Sequence, residues 1–369
     1  MTGDIADVVV VGLGPAGSCA AATAATHGAR VIAIEARREA GAPVQCAEFI
    51  PALLDQEIPF LSAVTVQPIT RMRSFVEGEA PDVTDNFPGR MIARVAFDRQ
   101  LARRAAAAGV TCRYGVRLRA VNAEGELHLS DGSALRARVI IGADGPRSCI
   151  GAASGRVNRA LVETRQVTVP LHARHDATDI FLRAAYPGGY AWLFPKGPRA
   201  HLGLGVAAAA RGRLKASLAD LHRELVVSGR VGAAVLGLTG GAIPVGGRLA
   251  AIAPIGKVPA LLAGDAAGLT NPVTGAGIAA AVQSGLRAGH AAAAWLDGNT
   301  RALDHYEDDL AELFDAALSR ALARRAALLG FAAAHGPPNA AALRRGWIGY
   351  PQYWVDTVPP ELRRMEMTA

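Results

Sequence analysis

The sequence is poor in lysine and has no cluster of basic residues. Only three of its 39 basic residues are lysines, and the arginines are spread along the chain, so the net charge of +7 is not concentrated in one segment. Proteins that track a nucleic-acid backbone present contiguous basic patches. We therefore expect no nucleic-acid partner, and at most peripheral contact with an anionic membrane surface.

Cysteines and long apolar runs are also scarce. Four cysteines in 369 residues, with no CxxC pair, argue against a disulfide framework and a zinc site, so we expect no metal. The apolar stretch that begins at Val8 is interrupted by Gly12, Gly14, Pro15 and Gly17. No other run reaches the roughly 18 apolar residues that span a bilayer. We expect a reduced, cytoplasmic protein, with membrane association left open.

The first forty residues hold the most specific pattern. Residues 8–11 are an apolar run typical of a buried parallel strand, and residues 12–17 follow with the sequence GLGPAG. An alanine-rich helix over 18–26 and a second strand over 31–34 come next, and that strand leads into Glu35. This order of strand, glycines, helix, strand and acid is typical of a site for the pyrophosphate of a dinucleotide.

Each glycine of this turn has a mechanical role. Gly12 permits the tight turn, Gly14 lets the backbone approach the pyrophosphate, and Gly17 lets the helix pack closely on the strand. The free N–H groups at the start of the helix face the phosphates. The carboxylate of Glu35 is placed to accept from ribose hydroxyls and would repel a 2′-phosphate, so NADP is disfavoured and NAD or FAD remains.

Two later segments favour a flavin. Residues 139–148 read VIIGADGPRS, and residues 260–277 contain ALLAGDAA followed by NPVTGAG. Asp144 and Asp265 each follow an apolar strand, where a carboxylate either accepts from ribityl hydroxyls or caps a helix. The helix predicted from Ile278 would point its N-terminus at the pyrimidine edge of a reduced flavin, which carries negative charge.

The order of these motifs resembles that of the FAD-dependent oxidoreductases of the p-hydroxybenzoate-hydroxylase superfamily, and residues 94–101, RVAFDRQL, resemble its arginine-bearing helix start. The resemblance implies an α/β fold with three parts. These are a Rossmann-like FAD-binding domain (1–60, 94–155 and 250–300), an inserted antiparallel-sheet substrate domain (61–93 and 156–249) and a helical C-terminal region (301–369). The residues that it implies for FAD are Gly12, Gly14, Pro15, Ala16, Gly17, Glu35, Ala36, Arg37, Cys46, Arg94, Asp144, Gly264, Asp265, Pro272, Gly275, Ala276, Gly277 and Ile278.

Three aromatic residues alternate along one predicted strand, over residues 189–194. Because side chains two residues apart lie on the same face of a strand, Tyr190, Trp192 and Phe194 should form one apolar surface. Aromatic residues make up only 5% of the chain, which favours a substrate-binding surface. Ordinary core packing is the alternative. We refer to these three residues as the aromatic row.

The aromatic row also carries a narrower resemblance. Residues 190–195, YAWLFP, with GLG at 203–205, resemble a pattern of the geranylgeranyl reductase family, which acts on isoprenoid chains. Residues 43–48, PVQCAE, resemble that family's cysteine-containing loop near the flavin, and residues 240–244 fit its next segment. The resemblance implies Cys46, Tyr190 and Trp192 as candidate catalytic residues, of which Cys46 and Tyr190 are the candidates for supplying the proton.

Three functional hypotheses follow. The first is an FAD-dependent reductase of C=C bonds in an isoprenoid or other apolar small molecule. The second is an FAD-dependent monooxygenase that hydroxylates an aromatic or indole-like group on a small molecule or a partner polypeptide. The third is a non-catalytic, flavin-loaded assembly protein. Since the chain has one dinucleotide-binding turn, we expect the reductant, NAD(P)H or an electron carrier, to dock transiently.

The C-terminal part is predicted to be helical, with an aromatic segment over residues 347–354. This segment either covers the substrate pocket or anchors the end of the chain on the core, and we favour anchoring. Because long-chain reductases often have longer C-terminal regions, we expect a substrate smaller than a full diterpenoid lipid.

Overall fold

The computed structural model of the protein describes residues 4–54 and 56–355. The strands are β1 (Asp4–Val11), β2 (Val31–Glu35), β3 (Phe49–Pro51), β4 (Thr65–Ile69), β5 (Arg71–Val76), β6 (Asp82–Thr84), β7 (Gly89–Ile92), β8 (Thr111–Tyr114), β9 (Leu118–Val121), β10 (Leu127–Leu129), β11 (Ala134–Gly142), β12 (Leu161–Pro170), β13 (Ala177–Leu182), β14 (Ala191–Lys196), β15 (Arg199–Ala207), β16 (Gly237–Pro244) and β17 (Ala260–Leu262). The α-helices are α1 (Pro15–Thr26), α2 (Leu61–Val64), α3 (Arg94–Ala107), α4 (Cys149–Ala153), α5 (Leu214–Val227), α6 (Ile278–Leu296), α7 (Ala302–His335), α8 (Ala340–Arg345) and α9 (Pro351–Trp354).

The first sheet carries the predicted dinucleotide-binding turn. Its strands run in the order β8-β2-β1-β11-β10-β9, and β17 also pairs with β11. The pairs β8–β2, β2–β1, β1–β11 and β11–β17 are parallel, and β9, β10 and β11 pair antiparallel. The carboxyl ends of β1, β2, β11 and β17 therefore meet at one edge, which is where ligands bind in open α/β sheets.

Helices α1 and α6 pack together beneath this edge, because small residues let their backbones approach. A Cβ atom on Gly285 would lie 2.2 Å from the Ala16 carbonyl oxygen, and one on Gly289 would lie 2.5 Å from that of Ala20. Both helices therefore begin close to the carboxyl edge of the first sheet. Helix α1 begins at Pro15, three residues before the predicted start, since proline is well accommodated in a first helical turn.

The second sheet is the inserted antiparallel sheet that the sequence predicts, except that one of its strand pairs is parallel. Its order is β16-β12-β15-β14-β13-β5-β6, and every pair is antiparallel except β5 and β13, which are parallel. The parallel pair arises because β5 comes from the earlier segment 61–93, not from the hairpins of 156–249. Helix α5 covers the sheet with buried Leu218, Leu221 and Leu225, which recur at helical spacing.

A small third sheet, in the order β3-β7-β4, lies beside the second sheet and helix α3. The predicted C-terminal helical region contains α7, which ends at His335, and the short helices α8 and α9. Its last residues, 356–369, lie outside the described part of the chain. The boundaries of the three predicted domains remain a prediction.

Among residues 4–54 and 56–355, no helix combines the length and the hydropathy that crossing a bilayer requires. The same residues contain no cluster of three or more His, Cys, Asp or Glu side chains able to hold a metal ion.

Candidate functional site

One large cavity, of about 920 Å³, lies between the first and second sheets. It brings together nearly every residue that the sequence assigns to the site. The predicted residues that line it are Gly12, Gly14, Pro15, Ala16, Glu35, Ala36, Arg37, Cys46, Arg94, Asp144, Tyr190, Trp192, Phe194, Gly264, Asp265, Pro272, Gly275, Ala276, Gly277 and Ile278. Gly17 lies behind the cavity, where a Cβ atom would be 1.8 Å from the Gly12 carbonyl oxygen. Its place there fits the predicted close packing of helix on strand.

The glycine turn forms an open cradle at one end of the cavity. Gly12 adopts φ +96°, and a Cβ atom there would lie 2.4 Å from the Ala143 carbonyl oxygen. A Cβ atom on Gly14 would meet no protein atom within 4 Å. Gly14 is the residue before α1, so the space beside it lies in front of the free N–H groups of that helix. This geometry fits a pyrophosphate group.

Glu35, at the end of β2, has a second role that its sequence position does not reveal. One carboxylate oxygen accepts from the Leu13 N–H at 2.8 Å, and the other accepts from the Arg37 N–H at 2.9 Å. The carboxylate therefore holds the glycine turn in place while it lines the cavity. Each oxygen keeps a lone pair that a ribose hydroxyl could reach.

The two predicted strand-end carboxylates differ in their partners. Asp144 accepts from the Ser148 hydroxyl and from the Cys149 N–H at 2.6 Å. It therefore stabilises the start of α4, as expected of a carboxylate that caps a helix. Asp265 accepts from the Thr270 hydroxyl at 2.8 Å. Burial raises the pKa of both carboxyl groups. Asp265 has more acceptor capacity left for a ligand hydroxyl than Asp144 has.

Arg94 begins α3 and faces both the cavity and the cysteine loop, residues 43–48. Its guanidinium donates to the Asp98 carboxylate at 2.7 Å and 3.2 Å and also interacts with the Cys46 thiol. Burial opposes the charged form, but Asp98 and Cys46 outweigh it and raise the pKa of Arg94. Arg94 therefore places a permanent positive charge beside the Cys46 sulfur.

A buried carboxylate, Glu48, fixes the cysteine loop. The Glu48 N–H donates to the Cys46 sulfur at 3.2 Å, and its Oε1 accepts from the Arg94 N–H at 2.8 Å. Its Oε2 contacts Lys196 and His201, each at 2.5 Å, on neighbouring strands β14 and β15. Burial alone would raise the pKa of Glu48, but these two partners outweigh burial and lower it to about 2. One ionised side chain thus ties the cysteine loop to α3 and to the second sheet.

The aromatic row faces the cavity as predicted, although Tyr190 lies just before β14. The ring centroids of Tyr190 and Trp192 are 5.7 Å apart, and those of Trp192 and Phe194 are 6.4 Å apart. The Tyr190 hydroxyl donates to the Thr274 carbonyl oxygen at 2.6 Å, and burial raises the pKa of this phenol. The aromatic row is therefore a cavity surface fastened to the NPVTGAG turn.

A polar side chain that sequence reasoning missed joins the aromatic row to the cysteine loop. Gln166, on β12, accepts from the Trp192 indole N–H at 3.0 Å and donates to the Cys46 carbonyl oxygen at 3.1 Å. No local motif marks Gln166, His201 or Lys196, because they meet only through pairing of β12, β15 and β14.

The C-terminal aromatic segment lines the cavity as well as packing on the core. The Trp347 ring lies 4.7 Å from that of Tyr190 and is 3% exposed. Ile348, Tyr353 and Trp354 line the same space. The segment therefore anchors on the core, as we favoured, and it also lines the cavity beside Tyr190.

Two family models match segments of the chain. The model described as geranylgeranyl reductase catalytic domain matches residues 161–235, which include the aromatic row. The model described as lycopene cyclase protein matches residues 7–180, which include the glycine turn and the cysteine loop.

Curated relatives and solved structures extend the similarity over most of the chain. A digeranylgeranylglycerophospholipid reductase from Methanocella arvoryzae is 33% identical over 344 residues, 85% of each chain, and one from Methanocaldococcus jannaschii is 33% identical over 82% of each. A geranylgeranyl bacteriochlorophyll reductase-like structure from Thermoplasma acidophilum has a TM-score of 0.78, with 25% identity over 99% of both chains. A probable FAD-dependent monooxygenase from Pseudomonas aeruginosa has the same fold, with a TM-score of 0.69 and 18% identity over 92% of this chain and 98% of its own.

Proposed function

The chain belongs to the geranylgeranyl reductase family of FAD-dependent oxidoreductases, and on that premise we propose that it reduces C=C bonds of an isoprenoid chain. The observation that carries this proposal is the convergence of three features on one cavity. These features are the cradle at Gly14, the cysteine loop and the aromatic row. The named relatives are reductases, so the monooxygenase and assembly-protein hypotheses are not favoured.

The residues at the glycine end fit FAD. The space in front of Gly14 accommodates a pyrophosphate, and Glu35 offers acceptors to a ribose. Asp265 and the turn from Pro272 to Ile278 supply a buried carboxylate and a second helix N-terminus. We propose that these groups, with the other cavity-lining residues that the sequence assigns to FAD, hold the cofactor.

Reduction of a C=C bond adds a hydride to one carbon and a proton to the other, and reduced FAD supplies the hydride from its N5 atom. The chain must hold the alkene, exclude water and deliver the proton. The aromatic row and Trp347 form an apolar surface along which an isoprenoid chain would lie. Cys46 is the preferred proton donor, since its sulfur accepts from the Glu48 N–H and interacts with the Arg94 guanidinium at the cavity wall.

Tyr190 has a different role from Cys46. Its hydroxyl proton is engaged by the Thr274 carbonyl oxygen, and burial raises the pKa of the phenol. We propose that Tyr190 orients the substrate and fastens the NPVTGAG turn, with Trp192 positioning the chain from the adjacent place in the aromatic row.

The reductant is proposed to dock transiently, either as NAD(P)H or as an electron-carrier protein. The glycine-rich segment 237–241 forms part of β16, which pairs antiparallel with β12. It is therefore not a second dinucleotide-binding turn. Peripheral membrane contact and a polypeptide substrate remain predictions.

A product assay tests the proposed function. The flavin-loaded protein would be incubated without oxygen with excess dithionite and a geranyl, farnesyl or geranylgeranyl lipid, and each lipid would be analysed by mass spectrometry. We expect gains of two hydrogens per reduced bond, with Cys46→Ser as the matched low-activity control. An unchanged lipid mass with fully reduced flavin would contradict the proposal.

A further inference from the structure

The cysteine loop ends in a residue with a left-handed backbone. Glu48 has φ +64°, a conformation that residues other than glycine adopt only at a cost. Two other non-glycine residues of the described chain have positive φ, Glu77 and Asn86, and they lie in the short connections from β5 to β6 and from β6 to β7. Glu48 directly precedes β3 instead, so a short connection between strands does not account for its conformation.

Hydrogen bonds on both sides of Glu48 fix the direction of this backbone. Its carbonyl oxygen accepts from the Ile92 N–H at 2.9 Å, which ties the outgoing chain to the third sheet. Its own N–H donates to the Cys46 sulfur at 3.2 Å, and the Arg94 guanidinium interacts with the same sulfur. Because two donor groups face the sulfur, the thiol proton is left to point towards the cavity that Cys46 lines.

The buried carboxylate of Glu48 opposes the cost of the left-handed backbone. Its Oε1 accepts from the Arg94 N–H at 2.8 Å, and its Oε2 lies 2.5 Å from Lys196 Nζ and 2.5 Å from His201 Nε2. These partners belong to α3, β14 and β15, so the side chain is anchored to three separate elements. A strained residue persists where its surroundings over-determine it, and these three contacts meet that condition.

We propose that Glu48 is a positioning residue, which holds its backbone N–H against the Cys46 sulfur so that the thiol proton faces the substrate. The carboxylate acts through the backbone and takes no part in the proton transfer itself. The inference rests on the proposed function, in which Cys46 supplies the proton. It differs from a packing role because it depends on the φ angle at residue 48 and not on the volume of the side chain.

Two substitutions at this position separate the two roles. Glycine adopts positive φ readily, whereas alanine bears the left-handed cost without the carboxylate that opposes it. Glu48→Gly should therefore keep the direction of the N–H, and Glu48→Ala should lose it. A packing role predicts the opposite order, because glycine fills less space than alanine and leaves the unfolded chain freer.

The rate assay uses flavin-loaded, full-length protein, reduced without oxygen and mixed with geranyl, farnesyl or geranylgeranyl lipids. We expect Glu48→Ala to slow single-turnover reduction of the lipid by about 10- to 100-fold, less than the loss of the Cys46 thiol does. Glu48→Gly should be faster than Glu48→Ala by about 5- to 30-fold, which is the ratio that the left-handed cost implies. Flavin content and the half-saturating lipid concentration should change by less than about threefold, since one backbone direction is altered and the aromatic row is not.

Crystal structures of the two variants test the inference without turnover. They measure φ at residue 48 and the distance from its N atom to the Cys46 sulfur. We expect a positive φ and a distance near 3.2 Å in Glu48→Gly, as in the wild type. In Glu48→Ala we expect a negative φ and a longer distance.

Glu77 supplies a matched control. It has φ +50°, its Oε1 accepts from the Ala184 N–H at 2.7 Å, and it is not among the described residues that line the cavity. Glu77→Gly should melt at a higher temperature than Glu77→Ala, for the same backbone reason, and neither should change the rate of lipid reduction.

A further variant covers the case in which the Glu48 variants do not fold. Lys196→Met removes one of the three contacts to the carboxylate and leaves residue 48 intact. We expect it to slow lipid reduction by about 3- to 10-fold with an unchanged half-saturating lipid concentration. An unchanged rate in folded Lys196→Met would overturn the inference.

The outcomes for the inference and for the proposed function are distinguishable. If the wild type reduces a probe and Glu48→Ala is at least as fast as Glu48→Gly, the inference fails while the proposed function stands. A positive φ and a short N-to-sulfur distance in Glu48→Ala would overturn the inference in the same way. If the wild type reduces none of the probes, the proposed function fails, and the two crystal structures still decide whether the carboxylate holds the N–H against the sulfur.

Discussion

The substitution Gly14→Val should remove FAD without unfolding the protein. Gly14 has φ −73° and ψ −171°, an extended conformation that valine adopts readily. Its added Cβ atom would meet no protein atom within 4 Å, so it would project into the cavity. The side chain would occupy the space in front of the first N–H groups of α1, where the pyrophosphate is proposed to lie.

The size of the effect follows from the hydrogen bonds that are lost. Each N–H bond to a charged phosphate contributes about 1.5–3 kcal/mol. Losing two of them would cost about 3–6 kcal/mol, or a loss of FAD affinity of about 10²- to 10⁴-fold. The apoprotein should keep the melting temperature of wild-type apoprotein, because nothing in the packed core is displaced.

The last glycine of the same turn, Gly17, supplies a contrast. A Cβ atom on Gly17 would lie 1.8 Å from the Gly12 carbonyl oxygen, so Gly17→Ala should destabilise the apoprotein by about 1–3 kcal/mol. Flavin content after purification, FAD titration and thermal melts of both apoproteins measure the two effects. Unchanged FAD affinity in Gly14→Val, or a melting temperature as low as that of Gly17→Ala, would refute the reasoning.

Three further predictions concern the other side of the cavity. Trp192→Ala breaks the bond to Gln166 and should raise KM while FAD stays bound; loss of FAD in this variant would make the aromatic row a structural core. Cys46→Ser should retain FAD and slow single-turnover reduction about 10²- to 10⁴-fold, and an unchanged rate would exclude the thiol as the proton donor. Glu48 has a pKa of about 2, against an ordinary value of 4.5. The stability that ionised Glu48 contributes to the folded protein is therefore present above pH 4.5 and is lost as the pH falls towards 2. At pH 7 the free energy of unfolding, measured with urea, should be lower for Glu48→Gln than for wild type. This difference should shrink by about 3 kcal/mol by pH 2.

Most of the cofactor end could be predicted from the sequence because its determinants are local. The strand, the glycine turn and the helix at residues 8–26 are contiguous, and each glycine has a role that the backbone alone dictates. The aromatic row was also predictable, since period-two alternation fixes which side chains share a face.

The network around Glu48 could not be predicted in the same way. Glu48 meets His201 because β14 and β15 bring the second sheet beneath the cysteine loop, more than 150 residues later in the chain. Trp347 meets Tyr190 through the return of the chain after α7, and its position in the sequence says nothing about that contact. Such contacts depend on strand register and helix direction, which no short motif specifies.

The most direct test of the central claim follows the fate of reduced flavin. The purified protein would be photoreduced without oxygen and mixed in a stopped-flow instrument with geranyl, farnesyl or geranylgeranyl lipids, while flavin absorbance is recorded and the product mass is determined. We predict anaerobic reoxidation of the flavin, matched by a gain of two hydrogens in the lipid. A flavin that stays reduced until oxygen is admitted, with an unchanged lipid, would contradict the account and favour an oxygen-dependent reaction.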